Sequence, residues 1–147
     1  MRRVILINWY KTWCSHFLWD SLKETDSALF HQIRTVLFEQ NPELTLDWMR
    51  GYTRFCNVWH FFEDKFIPKN VVQTAFMQDL SAHRPDLPEF IPAVQRLREK
   101  GYRVIVVADY FDVFGGYIYP YPHLEMVFDG YLSSSESGCL KDDTLPD

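Results

Sequence analysis

The first polar residues after an apolar run near the start of the chain are the best candidates for chemistry. Residues 4–7 read Val-Ile-Leu-Ile, and Asn8, Tyr10 and Thr12 follow within a short turn. Such a run is typical of a fully buried parallel strand, and ligand sites lie at the carboxyl ends of these strands. Asn8 offers a neutral hydrogen bond and Thr12 a hydroxyl that could hold an anion. The alternative is that Thr12 is an ordinary turn residue.

A second apolar run also stops at polar residues. Residues 102–108 read Tyr-Arg-Val-Ile-Val-Val-Ala, and Asp109 and Asp112 follow. Two carboxylates at the end of a buried strand could act as a nucleophile and a general base. Aspartates in this position also commonly cap the following turn or helix, so both interpretations stay open at this point.

The elements that must position these residues are two or three parallel strands. A helix with an apolar face at residues 90–97 ends at Gly101 and leads directly into the second run. A helix that precedes a buried strand, with another strand near the start of the chain, predicts a right-handed crossover and a parallel sheet. Residues 127–132 are a plausible third strand, and the serines after it are predicted to form a loop.

The middle of the chain is predicted to be helical throughout. Apolar residues recur there at spacings of three and four, Asp26 is placed to cap a helix, and Asn70 has the form of a capping box. Residues 84–88 contain two prolines and predict a rigid connection back to the sheet. The four predicted helices are residues 16–22, 26–41, 45–66 and 70–80.

Composition excludes several classes of function. The chain has 147 residues, 47% of them hydrophobic, and a net charge of −5 with scattered Lys and Arg, so we expect a compact fold and no nucleic-acid binding. No apolar run is long enough for a signal peptide or a membrane span, which predicts a cytoplasmic protein without membrane contact. The three cysteines are far apart and lack the spacing of a disulfide framework or a zinc site.

Three stretches of the chain resemble the haloacid dehalogenase-like (HAD-like) hydrolases. The apolar run followed by N-W-Y-K-T at residues 8–12 is similar to the family's first motif, D-x-D-x-T. The helix and strand at residues 87–107 resemble the approach to the second motif, and residues 128–143 resemble the third-motif region with Lys141 as its lysine. The resemblance implies an α/β fold with an incomplete Rossmann-like parallel sheet. Residues 1–14 and 84–147 would form this core, and residues 15–83 an inserted all-helical cap.

The family's chemistry requires particular groups that this chain has replaced. In the family the first aspartate attacks phosphorus, the second transfers protons, and a Ser or Thr and a Lys hold phosphate oxygens beside Mg²⁺. Asn8 stands at the nucleophile position, Tyr10 at the acid/base position and Ala108 at the Ser/Thr position. An amide is no nucleophile, and a phenol with an ordinary pKa of about 10 transfers protons poorly at neutral pH.

The resemblance leaves a phosphate site that is only partly equipped. Thr12 and Lys141 would hold the anion, and the Asn8 side chain and the Tyr10 backbone would be the metal ligands if Mg²⁺ is bound. We therefore expect a degenerate HAD-like pseudo-hydrolase that acts by binding or assembly, with no cofactor. The alternative is a Mg²⁺-dependent phosphatase represented by a truncated or altered chain. Predicted partners are a small phosphorylated ligand and a second copy of the chain, which would pair at the exposed edge of the incomplete sheet.

Overall fold

A computed structural model describes residues 3–83, 89–120 and 124–143 of the chain. In this part of the chain three strands, β1 (Val4–Asn8), β2 (Arg103–Ala108) and β3 (Gly130–Ser133), alternate with helices. Two further segments, Thr35–Glu39 and Phe114–Ile118, are π-helical. The α-helices are α1 (Leu22–Thr25), α2 (Ser27–Arg34), α3 (Pro42–Met49), α4 (Phe55–Asp64), α5 (Lys69–Ala82), α6 (Phe90–Glu99), α7 (Leu124–Val127) and α8 (Ser134–Ser137).

The sheet is three-stranded and parallel throughout, in the order β1-β2-β3, as the crossover argument predicted. Val4 pairs with Arg103 and Asn8 with Val107, so β1 and β2 end at the same edge of the sheet. The order of strands and helices confirms the predicted α/β, Rossmann-like fold. β2 lies in the centre of the sheet, and its alternate residues from Val104 onward are buried.

The prediction that β1 is fully buried is wrong. Val4 is 51% exposed and Leu6 is 60% exposed, whereas Ile5 and Ile7 are half-buried. The exposed residues alternate with the half-buried ones, so one face of β1 is open and the other packs against the core. A continuous apolar run therefore identified the strand correctly but not its environment, because a run carries no information on which faces of the strand are covered.

The predicted long helix at residues 45–66 is divided into α3 and α4. The chain turns between them at Gly51, whose φ of +75° lies in the left-handed region. A Cβ at Gly51 would lie 2.0 Å from the backbone oxygen of Ser135, so the turn also allows close approach of two backbone segments. Apolar spacing continues through the break because both helices bury one face against the same core.

Other local predictions have mixed outcomes. Asp26 accepts a hydrogen bond of 3.0 Å from the Leu29 amide and caps α2 as expected. The capping box at Asn70 is absent, since α5 begins at Lys69 with no side-chain cap. The helix predicted at residues 16–22 is replaced by a turn, in which Trp19 has a φ of +65°. The first helix, α1, is a short one that begins at Leu22. Of the three serines predicted as a loop, Ser133 ends β3 and the other two begin α8. The predicted connection at residues 84–88 lies outside the described residues.

Aromatic side chains fill the space between the helices and the sheet. Trp19 lies at the centre of this core, 5.7 Å from Phe62 and 5.6 Å from Phe76 between ring centroids. Trp48 stacks on Phe111, with ring centroids 4.0 Å apart, and so joins α3 to the turn after β2. The high aromatic content of the sequence, 17%, is therefore mostly core packing. In the described part of the chain, no helix combines the length and apolar character required to cross a membrane.

Substitution of Gly51 tests the break between α3 and α4. Gly51→Ala should lower the free energy of unfolding by at least about 2 kcal/mol, because alanine is strained at this positive φ and its methyl group would overlap a backbone atom. Gly116→Ala is the matched control, since a Cβ at Gly116 has no heavy atom within 4 Å. Urea unfolding followed by tryptophan fluorescence measures both. Equal stability of the two variants would contradict the described turn.

Candidate functional site

The carboxyl ends of β1 and β2 carry the candidate site. Asn8 is the last residue of β1, and Asp109 follows β2 directly. Lys141 lies over both strand ends, and its Nζ donates a hydrogen bond to Asn8 Oδ1 and lies 3.7 Å from Asp109 Oδ2. The Lys141 backbone amide also donates to Asp109 Oδ1 at 3.1 Å. The structure thus brings together three residues that the sequence analysis singled out separately.

The orientation of the Asn8 amide is fixed from both sides. Its Nδ2 donates to the Tyr10 backbone oxygen at 2.9 Å, while its Oδ1 accepts from Lys141. The two oxygens predicted as metal ligands, Asn8 Oδ1 and the Tyr10 carbonyl, are therefore both engaged, and a positive ammonium group contacts the first. Mg²⁺ prefers anionic oxygen ligands, so this donor set does not fit the ion. Among the described residues, no group of three His, Cys, Asp or Glu side chains could hold a metal.

The side-chain contacts of Tyr10 are packing contacts of its ring. Its ring packs 5.2 Å from the Phe17 ring, and Lys11 Nζ lies 5.6 Å from the centroid of the same ring. Lys11 has a φ of +64°, and the turn closes with a bridge between Tyr10 and Cys14. This arrangement makes the Tyr10 ring part of the packing against the turn segment that follows β1.

Thr12 is exposed and lies at the polar end of a cavity of about 380 Å³ beside the edge of β1. Asn8 lines the same cavity, so two of the predicted anion-binding residues face a common space. The remaining wall is apolar and is formed by Leu6, Ile7, Trp13, Phe90, Ala93, Val94 and Leu97.

The end of β2 lacks the hydroxyl that the resemblance requires. Ala108 is buried and offers only a methyl group. A hydroxyl that sequence reasoning missed, Ser134 Oγ, accepts from the Tyr110 amide at 3.0 Å and donates to the Tyr110 oxygen at 3.1 Å. Ser134 therefore fixes the turn after β2 and does not face the site. The run of three serines was the signal, but sequence spacing does not show which hydroxyl meets which turn.

Asp112 does not join Asp109 at the site. Its Oδ1 accepts from Trp48 Nε1 at 2.6 Å and its Oδ2 accepts from the Phe55 amide at 3.3 Å. Both partners belong to the helical segment, residues 15–83. Asp112 therefore does not cap the turn or helix that follows it, as one of the two interpretations expected, but ties the turn after β2 to α3 and to the first residue of α4.

The loop that carries Lys141 is held by a partner that sequence reasoning also missed. Arg50 Nη2 lies 2.6 Å from Asp143 Oδ1, and the Leu140 amide donates to Asp143 Oδ2 at 2.8 Å. These hydrogen bonds lower the pKa of Asp143, with the Arg50 guanidinium as the larger cause. Arg50 lies at the end of α3, so the helical segment helps to position the lysine.

Comparisons with known proteins identify the fold. Searches with the sequence found no matching protein-family profile and no similar curated protein. Solved structures do match. A predicted HAD-like family hydrolase from Porphyromonas gingivalis is 17% identical with a TM-score of 0.68, and the match covers 97% of this chain and 71% of that chain.

A HAD family enzyme from Bacteroides thetaiotaomicron matches in several forms. Its aspartate-to-alanine variant, in complex with magnesium and inorganic phosphate, is 16% identical with a TM-score of 0.69, covering 97% of this chain and 74% of that chain. Its wild-type form in the same type of complex is 14% identical with a TM-score of 0.64 and the same coverage. The architecture and these matches together show that the chain has the fold of the haloacid dehalogenase-like hydrolases.

Proposed function

We propose that this chain is a HAD-like protein that has lost phosphoryl-transfer chemistry and acts by binding and assembly. The observation that carries the proposal is the hydrogen bond between Lys141 Nζ and Asn8 Oδ1. A neutral amide occupies the end of β1 and has neither the negative charge nor the lone-pair basicity of an attacking carboxylate. Two further positions support the proposal: the Tyr10 ring packs against Phe17, and the Ala108 side chain has no polar group.

The binding part of the proposal concerns a small phosphorylated ligand. Lys141 is 35% exposed and contacts Asn8, which together with Thr12 lines the cavity between β1 and α6. Lys141 shares its charge with Asp109 at 3.7 Å, and such a part-exposed ion pair is worth only about 0–1 kcal/mol. A phosphoryl group can therefore compete for the ammonium at small cost. The magnesium and phosphate complexes of the Bacteroides thetaiotaomicron enzyme support phosphate as the ligand chemistry.

The assembly part of the proposal concerns the free edge of β1 and a second copy of the chain. The Trp9 amide donates to the Val107 carbonyl, and the Arg3 carbonyl accepts from the Arg103 amide. Arg3 and Trp9 therefore direct their backbone groups toward β2. By alternation the groups of Val4, Leu6 and Asn8 face away from the sheet. Residues 4–7 include none of the charges, prolines or glycines that usually block edge pairing. Two-fold antiparallel pairing of β1 with itself would satisfy these groups.

The alternative function, a Mg²⁺-dependent phosphatase, is favoured by one observation. Asp109 keeps a carboxylate at the same strand edge as Asn8, within 3.7 Å of Lys141. This carboxylate could replace the missing nucleophile if the contact with Lys141 loosened. The arrangement of the other groups disfavours it, because the Asn8 and Tyr10 oxygens do not fit the metal.

Hydrolysis of 4-nitrophenyl phosphate with added Mg²⁺ separates the two functions. We expect no turnover above the protein-free rate, and none from Asn8→Asp, because that change leaves Tyr10 and Ala108 unaltered. Circular dichroism of each variant confirms that it is folded. Turnover by the parent that is abolished in Asp109→Asn would establish the alternative.

Titration with inorganic phosphate, followed by amide NMR, tests the anion site. Shifts should concentrate at Asn8, Thr12 and the loop around Lys141. Lys141→Ala should weaken binding by about tenfold or more, since a charge-assisted hydrogen bond contributes about 1.5–3 kcal/mol. Lys100→Ala, an exposed lysine at the end of α6, is the control and should leave binding unchanged. Binding that survives in Lys141→Ala would place the anion elsewhere.

Sedimentation velocity tests assembly at the edge of β1. The parent should be dimeric at micromolar concentrations, and Leu6→Lys should make it monomeric by placing a charge at the proposed two-fold axis. Leu132→Lys is the matched control, because Leu132 is similarly exposed, at 53%, but lies on β3. A monomeric parent, or equal dissociation by the two substitutions, would count against pairing through β1.

A further inference from the structure

A cluster of titratable side chains lies buried next to the loops that carry the candidate site. His83 and Asp79, at the end of α5, are 0% and 1% exposed, and Tyr110, after β2, is 1% exposed. The surrounding core is largely aromatic. Burial of polar groups in such surroundings costs free energy unless each group finds a hydrogen-bond partner, so the contacts within the cluster decide what it does.

One side of the cluster joins α5 to the loop after β2. His83 Nδ1 lies 2.6 Å from the Asp79 backbone oxygen, and His83 Nε2 lies 2.6 Å from the Tyr110 hydroxyl. A carbonyl oxygen only accepts, so Nδ1 carries the proton and Nε2 accepts from Tyr110. The ring is therefore neutral, with both nitrogens satisfied. A second proton on Nε2 would meet the hydroxyl hydrogen of Tyr110 and force it to turn into the buried surroundings.

The other side of the cluster joins α5 to the segment after β1. Asp79 Oδ1 lies 3.2 Å from His16 Nε2, and the Ser21 amide donates to both carboxylate oxygens at 3.3 Å. His16 Nδ1 lies 3.9 Å from Asp20. The last turn of α5 thus contacts both the segment after β1 and the loop after β2. These are the strands at whose ends Asn8 and Asp109 lie.

We propose that this cluster is a pH-sensitive clasp, in which acidification places a buried positive charge on His83, reverses its hydrogen bond with Tyr110 and loosens the hold of α5 on the loops at the candidate site. The pairing of β1 with β2 does not involve the cluster, so the sheet stays intact when the clasp opens. The inference needs no ligand and no activity and is therefore independent of the proposed function.

Burial and the neighbouring charged and polar groups shift the pKa values within the cluster. Burial lowers the pKa of His83 to about 4, the Asp79 carbonyl opposes this, and His16 adds to it. Burial raises the pKa of Asp79, against the Ser21 and His16 contacts. Burial also raises the pKa of Tyr110. The titratable groups that face His83 and Tyr110 from the packed elements are Tyr10, Cys14, His16 and Asp20 after β1, Asp79 on α5, and Tyr110 itself after β2.

The sign of the pH effect follows from these directions. The pKa of His83 is lowered by folding, so the closed clasp has its full stability above the ordinary histidine pKa of about 6.5 and loses it as pH falls toward about 4. The raised pKa of Asp79 acts in the opposite direction, because this carboxyl gains a proton more readily in the folded chain. At pH about 5 the protonation of His83 alone increases the open population by up to about 30-fold, relative to a pH well above 6.5.

Hydrogen exchange measured on the full chain at pH about 7 and about 5, corrected for intrinsic rates, tests the clasp. Amides at residues 11–14 and 109–113 should lose protection by tenfold or more at the lower pH, while those of β2 keep theirs. His83→Gln should remove this pH dependence, because a neutral amide can still accept from Tyr110 and donate to the Asp79 carbonyl. His31→Gln, at an exposed histidine of α2, is the control and should keep it.

A second variant keeps the inference testable if His83→Gln does not fold. Tyr110→Phe removes the hydroxyl but keeps the ring, and should reduce loop protection at pH about 7 already. Three results would overturn the clasp: unchanged loop protection at pH about 5, equal loss of protection in β2, or a pH dependence that persists in His83→Gln.

Discussion

The parallel pairing of β1 with β2 is the constraint on which the rest of the structure depends. It places Asn8 and Ala108, which are far apart in the sequence, at one edge of the sheet. Parallel strands require a long crossover between them, and here α1 to α6 lie between β1 and β2. The helical segment therefore packs against the sheet as it connects the two strands, and many of its aromatic residues are buried in the core that results. Site geometry and core packing are two results of one pairing.

The amide at Asn8 changes the balance of charge at this edge. A carboxylate there would give Lys141 a second negative neighbour beside Asp109. With an amide, Lys141 and Asp109 compensate each other and Asn8 adds only a neutral acceptor, so the strand ends are nearly neutral. A neutral site neither attracts a divalent cation strongly nor repels an anion. An amide at the end of β1 is thus compatible with the proposed anion site.

The sequence predicted most strands and helices correctly. It did not predict the features of the structure that depend on contacts between distant segments. The apolar runs located β1 and β2, and the helix before β2 gave the parallel arrangement. Gly51 could not be recognised as a break, because its role depends on the backbone of Ser135. The exposure of β1 reflects one uncovered face of the strand, which the apolar run does not indicate. For the site, Asn8, Asp109 and Lys141 were identified, but Asp112 was separable from them only by its contacts with Trp48 and Phe55.

Directional polar contacts, and not apolar packing alone, set the geometry of the loops at the strand ends. His83 holds Tyr110, Trp48 holds Asp112, and Arg50 holds Asp143, so three loop positions are each tied to the helical segment by a hydrogen bond of 2.6 Å. Apolar contact stabilises an interface but tolerates sliding, whereas a buried hydrogen bond specifies one register because any other leaves a polar group unsatisfied. The helical segment thereby fixes where Asn8, Asp109 and Lys141 meet. A change within that segment that breaks one of these three hydrogen bonds would therefore free a loop at the strand ends, even when it occurs far from them in the sequence.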